Sequence, residues 1–367
     1  MEQKRLGDLA TYINGYAFKP EDRGKEGLPI IRIQDLTGNT YDLGFYNGDY
    51  PEKIEINDGD ILISWSASLG VYIWNRGKAL LNQHIFKVVF DKEEVNKQYF
   101  VFAVKYNLKE MGTKAHGATM KHIVKKDFDN TLVPFPTIEK QDVIAEILSK
   151  AAYIVDARKQ ELQKLDDLVR ARFVEFFGDP VANDKGWDTE ICRNLMSKIG
   201  SGATPKGGKE SYCDEGISLI RSMNVYNNRF EYKDLAHITD EQAEQLNNVT
   251  IEKKDILLNI TGASVARCCI VPDDLLPARV NQHVSILRCK ERVLPDFVCN
   301  MFTEHNYQGL LWNVATAGGA TREAITKQQI EELILIIPPI DLQKQFVVFV
   351  AQTNKSKFTK TFRPLRC

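Results

Sequence analysis

No stretch of this 367-residue chain stays apolar for the ~18 residues that a bilayer-spanning helix needs. The first fifteen residues, MEQKRLGDLATYING, lack the apolar core of a secretion signal. Cysteine is missing from the whole first half. All seven, Cys192, Cys213, Cys268, Cys269, Cys289, Cys299 and Cys367, lie beyond it, none in a CxxC pair. An odd count without metal spacing implies reduced thiols in a cytoplasmic protein and no metal site; Cys268-Cys269 reads as strand filler. An excess of either charge is also missing. Lys+Arg 48 against Asp+Glu 49 leaves a formal net charge of −1. That gives no global pull toward nucleic acid, so any such contact must come from basic groups gathered locally.

Reaction motifs are absent too. HExxH, GxSxG and EF-hand loops do not occur. The segment Gly202 to Glu210 (GATPKGGKE) imitates a phosphate loop. It has one residue too many between its glycines, and Glu210 where a metal-holding Ser or Thr must stand. Asp179-Pro180 lacks the second proline of an amino-methyltransferase signature. Asn82-Gln83-His84 and Asn281-Gln282-His283 each offer a histidine, but no acid or nucleophile recurs beside it. No catalytic residue is assigned.

What is present is apolar mass and pattern. Hydrophobic residues make up 43% and charged residues 26%, enough for real cores, and the length suits two domains. Ile138 to Phe177 holds no Pro or Gly. Its apolar residues Ile144, Leu148, Ala151, Val155, Leu162, Leu165, Val169 and Phe176 step by fours and threes, with Arg158 and Arg172 completing the stripe. That heptad seam predicts a helix roughly 60 Å long that packs lengthwise on another helix. Gly178 and Pro180 stop it.

The sequence then begins again. GLPIIR at 27–32 returns as GISLIR at 216–221, and Asp60-Ile-Leu as Asp255-Ile-Leu. Asn82-Gln83-His84 returns at 281–283, Gly117-Ala-Thr119 at 319–321, and PTIEKQ at 136–141 as PPIDLQ at 338–343. Five matches in one order indicate an internal duplication. Within the first copy, 28–33, 60–65 and 85–90 read as strands and 132–136 as extended. Gln98 to Met111 reads as a helix with Phe102, Tyr106 and Met111 near one face. The second copy of the long helix is cut short. Phe346 and Val350 match Ile144 and Leu148, but Thr353 and Lys357 break the stripe, and the tail KSKFTKTFRPLRC has no seam.

Turn-rich segments carry donors at matched places in both copies. The first offers Lys19, Ser64, Ser66, Ser68, Lys78, Asn82, Gln83, Lys114, His116, Thr119 and Lys121. The second offers Thr204, Lys206, Asn259, Thr261, Ser264, Arg267, Arg279, Asn281, Gln282, Thr321 and Arg322. Lys and Arg neutralise phosphates; Ser, Thr, Asn, Gln and Arg can read base edges.

These blocks, with FFGDP at 176–180, Gly186-Trp187 and GATP at 202–205, make the chain resemble the specificity subunit of type I restriction-modification systems over nearly its whole length. The resemblance implies an α+β fold. Two similar mixed α/β target-recognition domains, at 1–135 and 181–338, are separated by a long coiled-coil helix at 136–180, and a truncated C-terminal helix and tail occupy 339–367. It implies a non-catalytic reader of double-stranded DNA, each domain taking one half of a split asymmetric site. The helix would set the gap and dock methyltransferase subunits through Ile144, Leu148, Ala151, Val155, Leu162, Leu165, Val169 and Phe176. S-adenosylmethionine would sit on those subunits, and ATP with magnesium on a restriction/translocase subunit. The shortened second helix departs from the pattern and leaves the seam open to self-association; it also fits a frameshifted or recombined copy. Two other readings stay open: the specificity chain of a type IIB-like restriction enzyme, and a protein-interaction scaffold that binds no DNA.

Overall fold

The computed structural model describes residues 2–38, 42–66, 68–113, 123–205, 207–317 and 323–359. Its contacts divide the chain into two units, Met1–Arg158 and Lys159–Cys367. In the first, the strands Thr11–Asn14, Ile85–Val89, Ile61–Ser64 and Gly70–Ile73 form an antiparallel sheet in that spatial order. A second sheet runs Phe45–Tyr46, Leu28–Ile31, Ala79–Leu81, Glu55–Ile56, and its middle pair is parallel. Gln3–Arg5 pairs with Leu132–Pro134.

The apolar run Ile61-Leu62-Ile63 explains how the sheets stack. Side chains alternate across a strand. Ile61 and Ile63 enter one core with Phe86, Phe100 and Val104, while Leu62 enters another with Ile30, Ile56 and Leu80. A strand buried on both faces needs no polar alternation. The expected strand at 28–33 stops at Ile31. There the Asp35 carboxylate accepts from the Arg32 amide at 2.8 Å and starts the short helix Ile33–Thr37.

The helix expected from Gln98 is Lys97–Thr113, but its inward face is Phe100, Val104 and Leu108. Tyr106 is 80% exposed. Steps of four from Phe100 and from Phe102 fit a helical face equally well in sequence; packing on the sheet selects the first.

The second unit repeats the plan. Met196–Ser201, Val284–Cys289, Ile256–Asn259 and Cys268–Ile270 form its antiparallel sheet. Ala236–Ile238, Ile217–Ile220 and Ala278–Val280 form the other, again with a parallel pair. Asp188–Ile191 pairs with Ile334–Ile337. Ile256 and Leu258 face one core and Leu257 the other. Polar interactions recur with the strands. Asp60 pairs with Lys87 at 3.0 Å and Asp255 with Arg288 at 2.8 Å, the second cation standing two residues further along its strand. Gln141 accepts from the Asn96 amide at 3.0 Å, and Gln343 from the Leu294 amide at 2.9 Å.

One helix spans Ile138–Phe177, as its sequence predicts. Its faces differ from the expected seam. In the first unit Val143, Ile147, Leu148, Tyr153, Ile154 and Val155 are exposed, and Ala145 is the buried apolar residue. In the second unit Val169, Phe173 and Phe177 turn inward, one residue on from the expected Phe176, which is half-buried. The helix Ile340–Thr359 runs antiparallel to this part. The ring of Phe346 lies 5.5 Å from Phe173 and 5.4 Å from Phe177, and Lys357 pairs with Asp166 at 2.5 Å. The stripe therefore continues past Val350, with buried Thr353 and an ion pair replacing apolar contacts. At 20 residues this helix is half as long as the 40-residue one. Among the described residues no helix is long and apolar enough to cross a membrane.

Candidate nucleic-acid interface

In both copies of the Asn-Gln-His turn the buried asparagine side chain holds a backbone amide of the turn. In the first unit Asn82 is buried, and its side-chain oxygen accepts from the Gln83 amide at 2.9 Å. In the second, buried Asn281 accepts from the His283 amide at 3.0 Å. Both asparagines shape the turn, so their amides are turned away from solvent, and the exposed members are Gln83 and Gln282. A glycine-bearing strand end crosses each turn. A Cβ on Gly15 would lie 2.1 Å from the Asn82 carbonyl oxygen, and one on Gly202 would lie 1.7 Å from that of Val280. Only glycine permits that approach.

Four side chains form a chain in the second unit. The Thr204 hydroxyl donates to Gln282 Oε1. Gln282 Nε2 contacts His283 Nε2 at 3.2 Å, and His283 Nδ1 contacts Thr261 Oγ1 at 2.6 Å. An amide nitrogen can only donate, so His283 Nε2 accepts and its Nδ1–H donates to Thr261. The Thr261 hydroxyl proton and the second Gln282 N–H are left for an outside acceptor. Such a fixed donor pair suits acceptors on a base edge. His283 orders the set, although its type alone gave no reason to include it; its place in the repeated Asn-Gln-His was the available signal.

The first unit puts an aromatic, Trp65, where the second has Ile260, and the buried Ser66 where it has Thr261. The Trp65 amide donates to the His84 carbonyl at 3.2 Å, as the Ile260 amide does to His283 at 3.0 Å. The Trp65 indole stacks on Phe86, meets the His84 ring edge-on, and donates to Asn14 Oδ1 at 3.2 Å.

Several expected contacts face inward. Ser64 is fully buried, its hydroxyl donating to the Ser68 carbonyl at 2.5 Å; Ser66 is buried too, while Ser68 is exposed. Asn259 is enclosed, donating to the Ser222 carbonyl at 2.8 Å. Arg279 is buried and donates to the Ala243 carbonyl at 3.1 Å and Asn247 Oδ1 at 2.9 Å; burial lowers its pKa. Lys78 pairs with Glu55 at 2.8 Å, which raises the lysine pKa and lowers the carboxyl's. Lys19 is exposed and only 3.9 Å from Glu21. Ser264 is half-buried, and the Arg267 guanidinium lies 4.6 Å over the Tyr226 ring. Lys114, His116, Thr119, Lys121, Lys206, Thr321 and Arg322 lie outside the described residues. The last two follow the helix His305–Thr316 and precede Ala324, which bridges to Thr261.

The chain is 25% identical to the specificity subunit of the type I restriction enzyme EcoBI of Escherichia coli, over 95% of this chain and 78% of that one. It is 26% identical to the putative MjaX specificity subunit of Methanocaldococcus jannaschii, over 94% and 84%. In fold it is similar to the crystal structure of the type I restriction-modification S subunit from M. genitalium, with a TM-score of 0.57, 15% identity, and coverage of 97% of this chain and 90% of that one. The type I restriction modification DNA specificity domain matches residues 1–166 and again 193–361. The two matched stretches cover the two units in which strand order, turn and ion pair recur, and the chain belongs to this family.

Proposed function

We propose that this chain is the sequence-reading component of a type I restriction-modification complex. Each unit reads one half of a bipartite, asymmetric DNA site through the loops around its Asn-Gln-His turn, and the helix Ile138–Phe177 sets the gap between the halves. The carrying observation is that one two-sheet unit occurs twice with its Asn-Gln-His turn, while the side chains around the turn differ: the Trp65 ring and Gln83 in one, Thr261 and Gln282 in the other. A shared frame with different donors suits one site made of two unlike words. Two modules on one strut engage both words at high effective concentration.

The chain performs no chemistry of its own. Methyltransferase subunits dock on the exposed apolar face of the helix and carry S-adenosylmethionine. A restriction/translocase subunit supplies ATP hydrolysis with magnesium. The complex works in the cytoplasm on duplex DNA.

The test is selection from random duplex pools, with the chain co-expressed with its methyltransferase partner and S-adenosylmethionine present. A split word with a fixed gap is expected. Binding without preference at every salt concentration would defeat the proposal and favour a scaffold. Exchanging residues 1–135 for those of a relative should change one half-word and leave the other.

A further inference from the structure

The second unit carries a basic groove of about 590 Å³. Arg193, Ser197, Lys198, Ser201, Asn248 and Lys327 line it. It follows Met196–Ser201, the edge strand of the four-stranded sheet, and ends one residue before Gly202, whose loop holds Thr204 against Gln282. Arg193 and Lys198 have no ion-pair partner among the described residues. The carboxylate that lines the groove is Glu331, and Lys327 meets it at 3.5 Å.

The duplication shows what was added. The helical turns Leu6–Leu9 and Cys192–Leu195 correspond, as do Gly15 and Gly202. Arg193 then stands where the first unit has Gly7, and a Cβ there would meet Asp129 at 3.1 Å. Between Leu195 and Gly202 the second copy holds one residue more than the first does between Leu9 and Gly15. A β-bulge between Met196 and Lys198 absorbs it, whereas Thr11–Asn14 pairs without a shift. Bulges re-aim side chains at sheet edges. The first unit keeps only the third cation: Lys125 pairs with Asp129 as Lys327 does with Glu331.

We propose that this groove seats a stretch of DNA phosphate backbone, with Arg193 and Lys198 as phosphate contacts that position the second unit on its half-site. The inference rests on the DNA-reading function above. Two cations, the Ser201 hydroxyl and the Asn248 amide make a donor-rich strip of the kind phosphate oxygens accept, while the Ser197 hydroxyl is held by the Arg288 carbonyl. A backbone lying along the strip leads directly to the Thr204–Gln282–His283–Thr261 set. In a chain of net charge −1, two uncompensated cations at one sheet edge are the local gathering that DNA contact requires.

The experiment compares the full chain, assembled with its methyltransferase partner, with its R193A/K198A form. The probes are a duplex carrying the selected word and a scrambled duplex of equal length, titrated from low to high salt. Both affinities should fall by the same factor, and the slope of log affinity against log salt should become shallower by about 2, near 0.9 per phosphate released. Lys198→Arg should restore its share. Circular dichroism melting guards against misfolding, and R193E/K198E should deepen the loss without a lower melting point. An unchanged slope overturns the inference, as does a loss confined to the selected word. So does self-association of the variant with DNA affinity intact, which would make Lys198 a guard of the strand edge. A wild-type complex that selects no word defeats the proposed function instead.

Discussion

Asp255 is fully enclosed, and its two oxygens take Nε and Nη2 of Arg288 at 2.8 Å each while also accepting from the Glu252 amide at 2.7 Å. Asp255→Asn removes the enclosed partner of that guanidinium and leaves it only the exposed Glu252 carboxylate, so the second unit should lose about 2 kcal/mol in a denaturant melt. Asp60→Asn in the first unit should cost about 1 kcal/mol, because Asp60 and Lys87 are both partly exposed and water answers the charge. Cysteine supplies a pH test. Burial pushes the Cys192 thiol up to about 12 from its ordinary 9.0, helped by the Glu331 carboxylate. The folded state then holds a proton that the unfolded thiol releases above pH 9, so this contribution is complete below pH 9 and is lost as pH rises toward 12. Cys192→Ala should flatten the alkaline limb of a melting-temperature profile over that window. Individual residues were the least legible part of the sequence. Asn259, Ser64 and Arg279 have the chemistry of DNA contacts, yet each fills a buried hydrogen-bonding role. Residue type cannot tell an inward donor from an outward one; only the fold assigns the direction.

The long helix shows what periodicity can reveal and what it cannot. Its ends follow from local chemistry: an unbroken run of helix formers, then Gly178 at a positive φ of 74°. Its faces depend on neighbours. Phe173, off the expected seam, is buried because Phe297 and Phe346 meet it at 5.8 and 5.5 Å, whereas Leu148 and Val155, on that seam, are 39% and 54% exposed. A heptad marks which residues could share a seam, and the partner helix decides which do. The two halves should therefore respond differently. Phe173→Ala should cost about 3–5 kcal/mol of stability in the second unit. Ile147→Glu with Ile154→Glu, at positions 60% and 56% exposed, should shift the melt by less than about 0.5 kcal/mol. The same pair should weaken co-purification with the methyltransferase subunit, which checks the proposed docking face.

At the scale of the whole chain, duplication was the most legible property, because its markers are residues whose roles allow few substitutes. Gln141 and Gln343 each accept from a backbone amide across the chain, and Asp60 and Asp255 each answer a basic side chain of the neighbouring strand. Apolar positions drift between copies while these stay, so short polar motifs in one order carried the signal. What the repeat could not convey is the difference between the copies, since Lys198 standing where the first copy has Thr11, or Trp65 where the second has Ile260, looks in sequence like ordinary divergence. The helix is the segment that joins the units in sequence, and its length carries the last prediction. Seven residues inserted after Ala151 keep the heptad phase and lengthen the strut by about 10 Å. The complex should then select the same two half-words with a gap longer by about three base pairs, at ~3.4 Å of rise each. Retention of the original gap would mean that something other than the helix fixes the spacing, whereas loss of both words would mean that the insertion had disrupted the units themselves.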